Sequence, residues 1–589
     1  MKSTSFFKKN ACNLALICGL ILTSALSAQK KIYVKDFGVE SSQLADATPG
    51  VIAALKTCDR NSSAELIFET GEYHFYPDRG VDRYCFVSNN DEGLKRIIFP
   101  IEQMKNLTVN GQGSLFVFHG FVNPFLVEKS SNIIFKNFSV DCARPFHSEG
   151  IIIASNKNEM DLEIPEQFPY KIVNDILVFT DNKNTSDELK TTVSKEVIYN
   201  YGSLLEFDTH KRETAFMVHD YYINSIPLTV KDLGERKVRI FLNGINGTVG
   251  NTMVFAAGHR NYPSFILSDS KDVRFENITI HHSGGMGIIG QRTHNVTVES
   301  CQFIPSEGRM ISCTADATHF TNCTGKIELS NNVFMNQMDD ATNIHGIYVQ
   351  IVEKVAPNEI YVRLKHAQQL GFDFLKKGSE VELVKGKSLI TKGSAEVLEA
   401  ERINKEITRI KLSKNLPDNI LVGDAVGELY DFAEIHIHHN YIGKNRARGM
   451  LLNCRGKTVV ENNTFHTAGA AILFEGDANY WFEQGGVGDC TIRNNVFDNC
   501  LFGTWGKAVL DVAAGILEDK EESRYNKNIK IYDNTFRIFD DVYLLHAYGM
   551  SGLKWNGNKI ERSNAYPAIH KAPSFFKIEH CDDMEINQE

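Results

Sequence analysis

The sequence predicts an all-β fold, a right-handed parallel β-helix interrupted by two inserted β-rich, barrel-like modules, and three observations predict it. A short pattern of β-forming residues, Asn and an apolar or aromatic residue recurs, as VRFENITI at 273–280, IELSNNVF at 327–334, TVVENNTF at 458–465 and IKIYDNTF at 529–536. Where copies adjoin, as at Val273 and Val296 or Ile435 and Thr458, they repeat about every 23 residues, a period that marks a solenoid. Two long stretches lack the pattern but remain rich in strand-type runs such as KVRIFLNG and EIYVRLKH. A β-sandwich also alternates apolar and polar residues, but it does not require an Asn-x-Phe at constant spacing. The Asn falls at a bend, where its amide can bond the equivalent Asn of the next coil.

Taken in order, residues 1–28 read as a secretory signal peptide. Lys2, Lys8 and Lys9 precede a short apolar run, and small residues around Ala28 offer a cleavage site. The run is short for a membrane anchor. Export to the periplasm or the medium is therefore expected, with no membrane insertion afterwards. Residues 29–149 hold a capping helix near 49–57, begun by Pro49, and the first coils. This opening is similar to that of pectate-lyase-like β-helix proteins, in which strand and helix close one end of the solenoid; an open end would expose unpaired strand edges. The first module is expected at 150–256, further coils at 257–346, the second module at 347–428, and the last coils at 429–589.

Removal of the leader takes away three lysines and moves the formal charge from −10 to −13. That balance disfavours nucleic acid and anionic membrane as partners. Two of the 12 cysteines leave with the leader. The others show no CxxC and no zinc spacing, so small buried thiols are expected rather than a disulfide framework, although Cys301, Cys313 and Cys323 lie close in sequence.

NQMDDATNIHG at 336–346 places two carboxylates side by side. Alternation along a strand would drive one of them into the apolar interior at high cost, so Asp339 and Asp340 belong at a strand end or bend. Asp316, in SCTADATHF, stands one coil earlier, and ADATH rhymes with DDATN. Adjacent coils would bring the three carboxyls to roughly 5–9 Å, the range in which paired carboxylates cleave glycosidic bonds. Mutual repulsion would raise their pKa values, so one stays protonated near neutrality. Solvated turns and a calcium cluster are the competing readings; no D-x-D-x-D-G loop is present. Arg260, Glu307, Arg309, His345, Glu475 and Trp481 lie near bends as candidate substrate contacts, with Trp481 beside Tyr480 as an aromatic platform for a sugar. No G-x-S-x-G, P-loop or H-E-x-x-H occurs.

With the leader, the β-helix opening, the two Asp segments and the two inserts, nearly the whole mature chain resembles glycoside hydrolase family 110. The resemblance implies an exo-acting α-1,3-galactosidase that uses neither metal nor other cofactor, inverts configuration, and acts on terminal galactose of blood group B and related, including linear, α-galactosyl glycans. It assigns the catalytic aspartates to Asp316, Asp339 and Asp340, with the pair supplying the general acid and Asp316 helping to activate water. The rival enzyme is a polygalacturonase-like hydrolase of acidic pectin. That family pairs its aspartates with G-H-G, absent here, and R-I-K, which at Arg409–Lys411 lies inside the second insert. The rival from another class is a non-catalytic glycan-binding solenoid. The partner is a glycan in either case. The oligomeric state, homo-oligomers included, stays open.

Overall fold

The computed structural model describes residues 29–587 apart from 43–44, 59, 61, 182–196 and 223–226. The expected signal peptide lies outside the described residues. No helix among them is long and apolar enough to cross a membrane.

The chain coils as a right-handed parallel β-helix. One face stacks the strands Ser131–Cys142, Lys271–Ile280, His294–Glu299, Thr324–Ser330, Glu434–His438 and Thr458–Glu461 in parallel register, and the ladder continues to Asp582–Ile586. A second face stacks Phe265–Ser268, Ile288–Gln291, Thr318–Thr321, the start of Thr342–Ala356, Met450–Leu452 and Ile472–Phe474. Alternate residues point inward, so Val273, Phe275, Ile327, Leu329, Ile435 and Ile437 form one continuous core.

The recurring Asn is the hinge of each coil. Asn331, His439, Asn462, Asn494 and Asp533 adopt left-handed backbone, with φ between 54° and 57°. Asn and Asp tolerate this conformation better than most residues. The turn aims the following Asn inward. Asn440, Asn463, Asn495 and Asn534 each donate from Nδ2 to the Oδ1 of the next Asn, ending on Asn558, at 2.9–3.0 Å. Each also donates to a main-chain carbonyl of the preceding coil. Phe465, Phe497 and Phe536 stack beside this ladder with centroids 5.1 and 4.7 Å apart.

The helix Thr48–Lys56 has its Pro in the first turn and buries Val51, Ala54 and Leu55 in the same core. Between the coils at Ser131–Cys142 and Lys271–Ile280 stands an antiparallel sheet that runs from Ser148–Ser155 to Thr252–Ala257. Those two strands pair with each other, so the excursion ends beside its start. The strand Thr342–Ala356 leaves the solenoid and becomes the first stave of a closed antiparallel barrel with Glu359–Arg363, Ile407–Leu412, Thr391–Arg402, Glu380–Val384 and Ala425–Leu429. Here too the last strand returns to pair with the first. The ten cysteines among the described residues are free, eight of them buried.

Candidate active site

The strands Thr318–Thr321, Thr342–Ala356 and Met450–Leu452 pair through Thr318↔Thr342 and Thr342↔Met450. Two residues before each of these starts stand Asp316, Asp340 and Arg448. They form one column on three consecutive coils, although the barrel separates Asp340 from Arg448 by 108 residues of chain. The Asp340 amide donates to Asp316 Oδ1 at 3.1 Å. Arg448 grips Asp340 through Nε–Oδ1 at 2.9 Å and Nη2–Oδ2 at 2.7 Å, a bidentate fork that suits a buried carboxylate.

Asp339 departs from this column. Its side chain keeps 18% exposure and meets Arg260 and Arg448 at 3.5 Å and Arg446 at 3.8 Å, longer than good hydrogen bonds. One oxygen from each of the three carboxyls lies within 4.8 Å of the others. This is tighter than the spacing expected from coil geometry. Three guanidinium groups converge on the trio and offset the repulsion. Burial, and then the charge of Asp339, pushes Asp316 up to about 7. Burial likewise pushes Asp340 up to about 7, against the pull of Arg448. Burial would raise Asp339 as well, but Arg448, Arg446 and Arg260 outweigh it and hold that carboxyl below its ordinary value.

Behind Asp316 lies a pair of buried histidines. His319 Nδ1 is 2.6 Å from Asp316 Oδ2, His319 Nε2 is 2.9 Å from His345 Nε2, and His345 Nδ1 is 2.6 Å from the Gly346 carbonyl. Burial lowers both imidazoles to about 3, so they are neutral.

The trio opens into a cavity also lined by Arg260, Asn343, Leu451, Glu475, Asp477, Trp481, Glu483 and Gln368. Gln368 belongs to the second insert, which therefore contributes to the rim, and Arg260 comes from the chain that follows the first. Asn343 Oδ1 is buried there without a partner, an acceptor aimed at whatever fills the site. Asp477 holds the Trp481 loop by accepting the amides of Asn479, Tyr480 and Trp481 at 2.6–3.0 Å. Trp481 remains 42% exposed and packs against His366 of the barrel, with ring centroids 4.9 Å apart. The first module reaches in through Asp220, which accepts from Arg446 Nε and Nη2 at 2.8 Å and from Trp505 Nε1 at 3.2 Å.

Of the residues expected at the site, Asp316, Asp339, Asp340, Arg260, Glu475 and Trp481 line this cavity. His345 does not line it; it is buried behind His319 and lies 3.6 Å from Glu483. Arg309 turns away to pair with Asp141 at 2.8 Å, and Glu307 sits on an exposed turn, so neither reaches the cavity. Arg446 and Arg448 escaped the sequence reading. Their signal, Arg-x-Arg one coil after the Asp pair, becomes visible only when the barrel is removed from the residue count. Outside this site, Glu328, His436 and His438 lie close enough to share a metal ion on the solenoid's outer face.

Residues 148–247 match GLAA-B beta-barrel domain I, and residues 359–426 match GLAA-B beta-barrel domain II. An alpha-1,3-galactosidase A of Shewanella woodyi is 34% identical over 99% of this chain and 95% of its own. An alpha-1,3-galactosidase B of Bacteroides thetaiotaomicron is 28% identical over 99% and 94%. Among solved structures, a family 28 exopolygalacturonase of Yersinia enterocolitica aligns with 95% of this chain and 79% of its own, at 10% identity and a TM-score of 0.40, a likeness that says nothing about activity. Full-length kinship to the galactosidases, with both barrel modules matched, makes this chain a glycoside hydrolase and a member of glycoside hydrolase family 110.

Proposed function

We propose that this enzyme removes terminal non-reducing α-1,3-linked galactose from blood group B-type and linear α-galactosyl glycans, with inversion, using Asp316, Asp339 and Asp340 as its acid–base set. The observation that carries the reading is the carboxyl trio gathered under Arg260, Arg446 and Arg448 in a cavity rimmed in part by the second insert, with Arg446 held by Asp220 of the first. A bare solenoid groove suits a polymer bound along its length; a rimmed cavity suits one terminal sugar. The names of the full-length relatives give the galactose and the linkage.

A glycosidase needs one protonated and one ionised carboxyl. Asp339 is the general acid in this reading. It is the most exposed member and is held only by loose contacts, so it is free to turn toward the glycosidic oxygen. Asp316 and Asp340, joined by the Asp340 amide, receive the attacking water. An inverting site needs roughly 6.5–9.5 Å between acid and base. With one oxygen of each carboxyl within 4.8 Å of the others, this reading has Asp339 swing outward to meet the glycosidic oxygen. Trp481 offers a face for the apolar side of galactose, and Asn343 Oδ1 accepts a hydroxyl.

The test is galactose release from a B-type oligosaccharide, with proton NMR of the first-formed anomer. Wild type should give β-galactose. Asp316→Asn, Asp339→Asn and Asp340→Asn should each lose at least ~10²-fold in kcat while remaining folded. Release of α-galactose would refute inversion. No release from any α-galactoside would refute the reading and direct attention to acidic pectins and then to glycan binding.

A further inference from the structure

The three contacts running from Asp316 to Gly346 can be settled by counting protons. Each hydrogen bond needs one. The Gly346 carbonyl has none to give, so His345 Nδ1 must donate to it. Neutral His345 then presents a bare Nε2, so His319 Nε2 must donate across the 2.9 Å contact. Neutral His319 is left with a bare Nδ1 facing Asp316 Oδ2 at 2.6 Å. Two neutral imidazoles supply two protons to three bonds. The third must lie on the Asp316–His319 contact.

We propose that His319 and His345 are positioning residues that store the catalytic proton on Asp316 between turnovers. The inference rests on the glycosidase reading of the same site. Burial of both imidazoles disfavours the alternative of a charged His319 beside an ionised Asp316, as does the lowering of His319 to about 3.

The groups facing this relay fit a neutral Asp316. Asp339, Arg260 and Arg448 act on it across the cavity, and the Asp340 amide donates to its other oxygen. Glu483 Oε1 stands 3.6 Å from His345 Nε2, with Asn89 Nδ2 donating to it at 3.4 Å. Asp339 lies under three arginines and is held below its ordinary value. Asp340 is raised as far as Asp316, but both its oxygens accept from Arg448, whereas Asp316 Oδ2 faces the bare Nδ1 of His319, an acceptor for its proton.

The store also closes the catalytic cycle. In an inverting reaction the acid loses a proton to the leaving oxygen as the C1–O bond breaks. Water adds to C1, and the base takes its proton. The cycle therefore ends with the proton on the base. Storage on Asp316 makes that end state the resting state. The next turnover begins when the O–H bond on Asp316 breaks and one forms on Asp339, leaving Asp316 ionised to receive water. A gap of at most 4.8 Å lies within reach of one bridging water.

The test compares kcat/KM against pH for galactose release by wild type, His319→Leu and His319→Gln. Wild type should lose activity on the alkaline side with a midpoint near 7, the value to which Asp316 is raised. Leu offers no acceptor for the Asp316 proton, and losing a hydrogen bond to the neutral acid favours its ionised form. His319→Leu should therefore move that midpoint down by about one unit, with about tenfold lower activity at pH 8 and near-recovery at pH 5.5. His319→Gln should keep the midpoint near 7, because Oε1 can accept from Asp316 while Nε2 donates to His345 Nε2. A uniform loss at every pH, or an unmoved midpoint in His319→Leu, overturns the proposal. An infrared difference spectrum, wild type minus Asp316→Asn at pH 6, needs no turnover. A protonated carboxylic C=O band supports the store, and a carboxylate band refutes it. This arm decides the matter even if no galactoside is cleaved, so failure of the store and failure of the glycosidase reading are told apart.

Discussion

Asp339 and Asp340 carry the same group on adjacent residues of the bend before Thr342, and that bend sends them to different surroundings. Asp340 falls into the stacked column and takes a bidentate guanidinium; Asp339 turns out to the cavity and is held loosely. Arg448→Met should therefore leave Asp340 buried without its cation, at about 3–5 kcal/mol in unfolding free energy unless the carboxyl protonates. Denaturant midpoints and a raised alkaline midpoint in kcat/KM would report this, and Arg448→Lys should restore only part, because an ammonium cannot form the fork. The wild-type pH dependence has a definite sign. Asp316 and Asp340 are both raised to about 7, so the acid form is present below that value and galactose release should fall as pH rises through it. Asp316 and the Asp pair were legible in the sequence because one coil's spacing relates them. Arg448 was not, because the chain between it and Asp340 hides the coil that they share. Glu307 and Arg309 were overread. Position near a bend does not give a side chain its direction, and Asp141 claims Arg309.

At the scale of the element, the Asn ladder does for the solenoid what a turn residue does for a hairpin. Each Asn satisfies a neighbour's amide and a buried carbonyl at once. Asn463→Leu would strand the Asn440 amide and the Ile437 carbonyl, which bond Asn463, and should cost about 1–3 kcal/mol by chemical denaturation. Exposed Asn528, in the strand Asn526–Tyr532 outside the ladder, has left-handed backbone too, so Asn528→Ala should cost about 1 kcal/mol through backbone strain alone. The ladder was legible because Asn-x-Phe repeats visibly. The modules were legible only as interruptions: alternating runs reveal strands but not which strands close a barrel. Their reach into the site was invisible as well. Asp220 lies far from the trio in sequence, yet it orients Arg446. Asp220→Ala should raise KM several-fold with a smaller change in kcat, measured on a B-type trisaccharide, because it loosens an arginine near the sugar rather than a reacting group.

A solenoid as a whole molecule must protect its two ends. At the start, Thr48–Lys56 covers the core. At the finish, among the described residues, Asp582–Ile586 pairs only with Met550–Asn556, and Asp582, Asp583 and Glu585 lie exposed along it. Charge on an open edge discourages a second chain from adding a strand. Replacing Asp582 and Glu585 by Val, and leaving Asp583 with its left-handed backbone, should produce concentration-dependent aggregation by light scattering without loss of specific activity in the monomer fraction. The paired ends of each insert have a further consequence, for folding kinetics. Parallel coils are slow to form, because partners distant along the chain must meet before any contact rewards the search. A barrel whose first and last strands lie side by side removes most of that search for the coil it interrupts. Once it has folded locally, Gln350 and Ala425 are neighbours, and the chain that leads on to Arg448 emerges beside the chain that leads back to Asp340. The closed barrel thus sets the Asp340 and Arg448 coils side by side, so the chain length between them need not govern how fast that column forms.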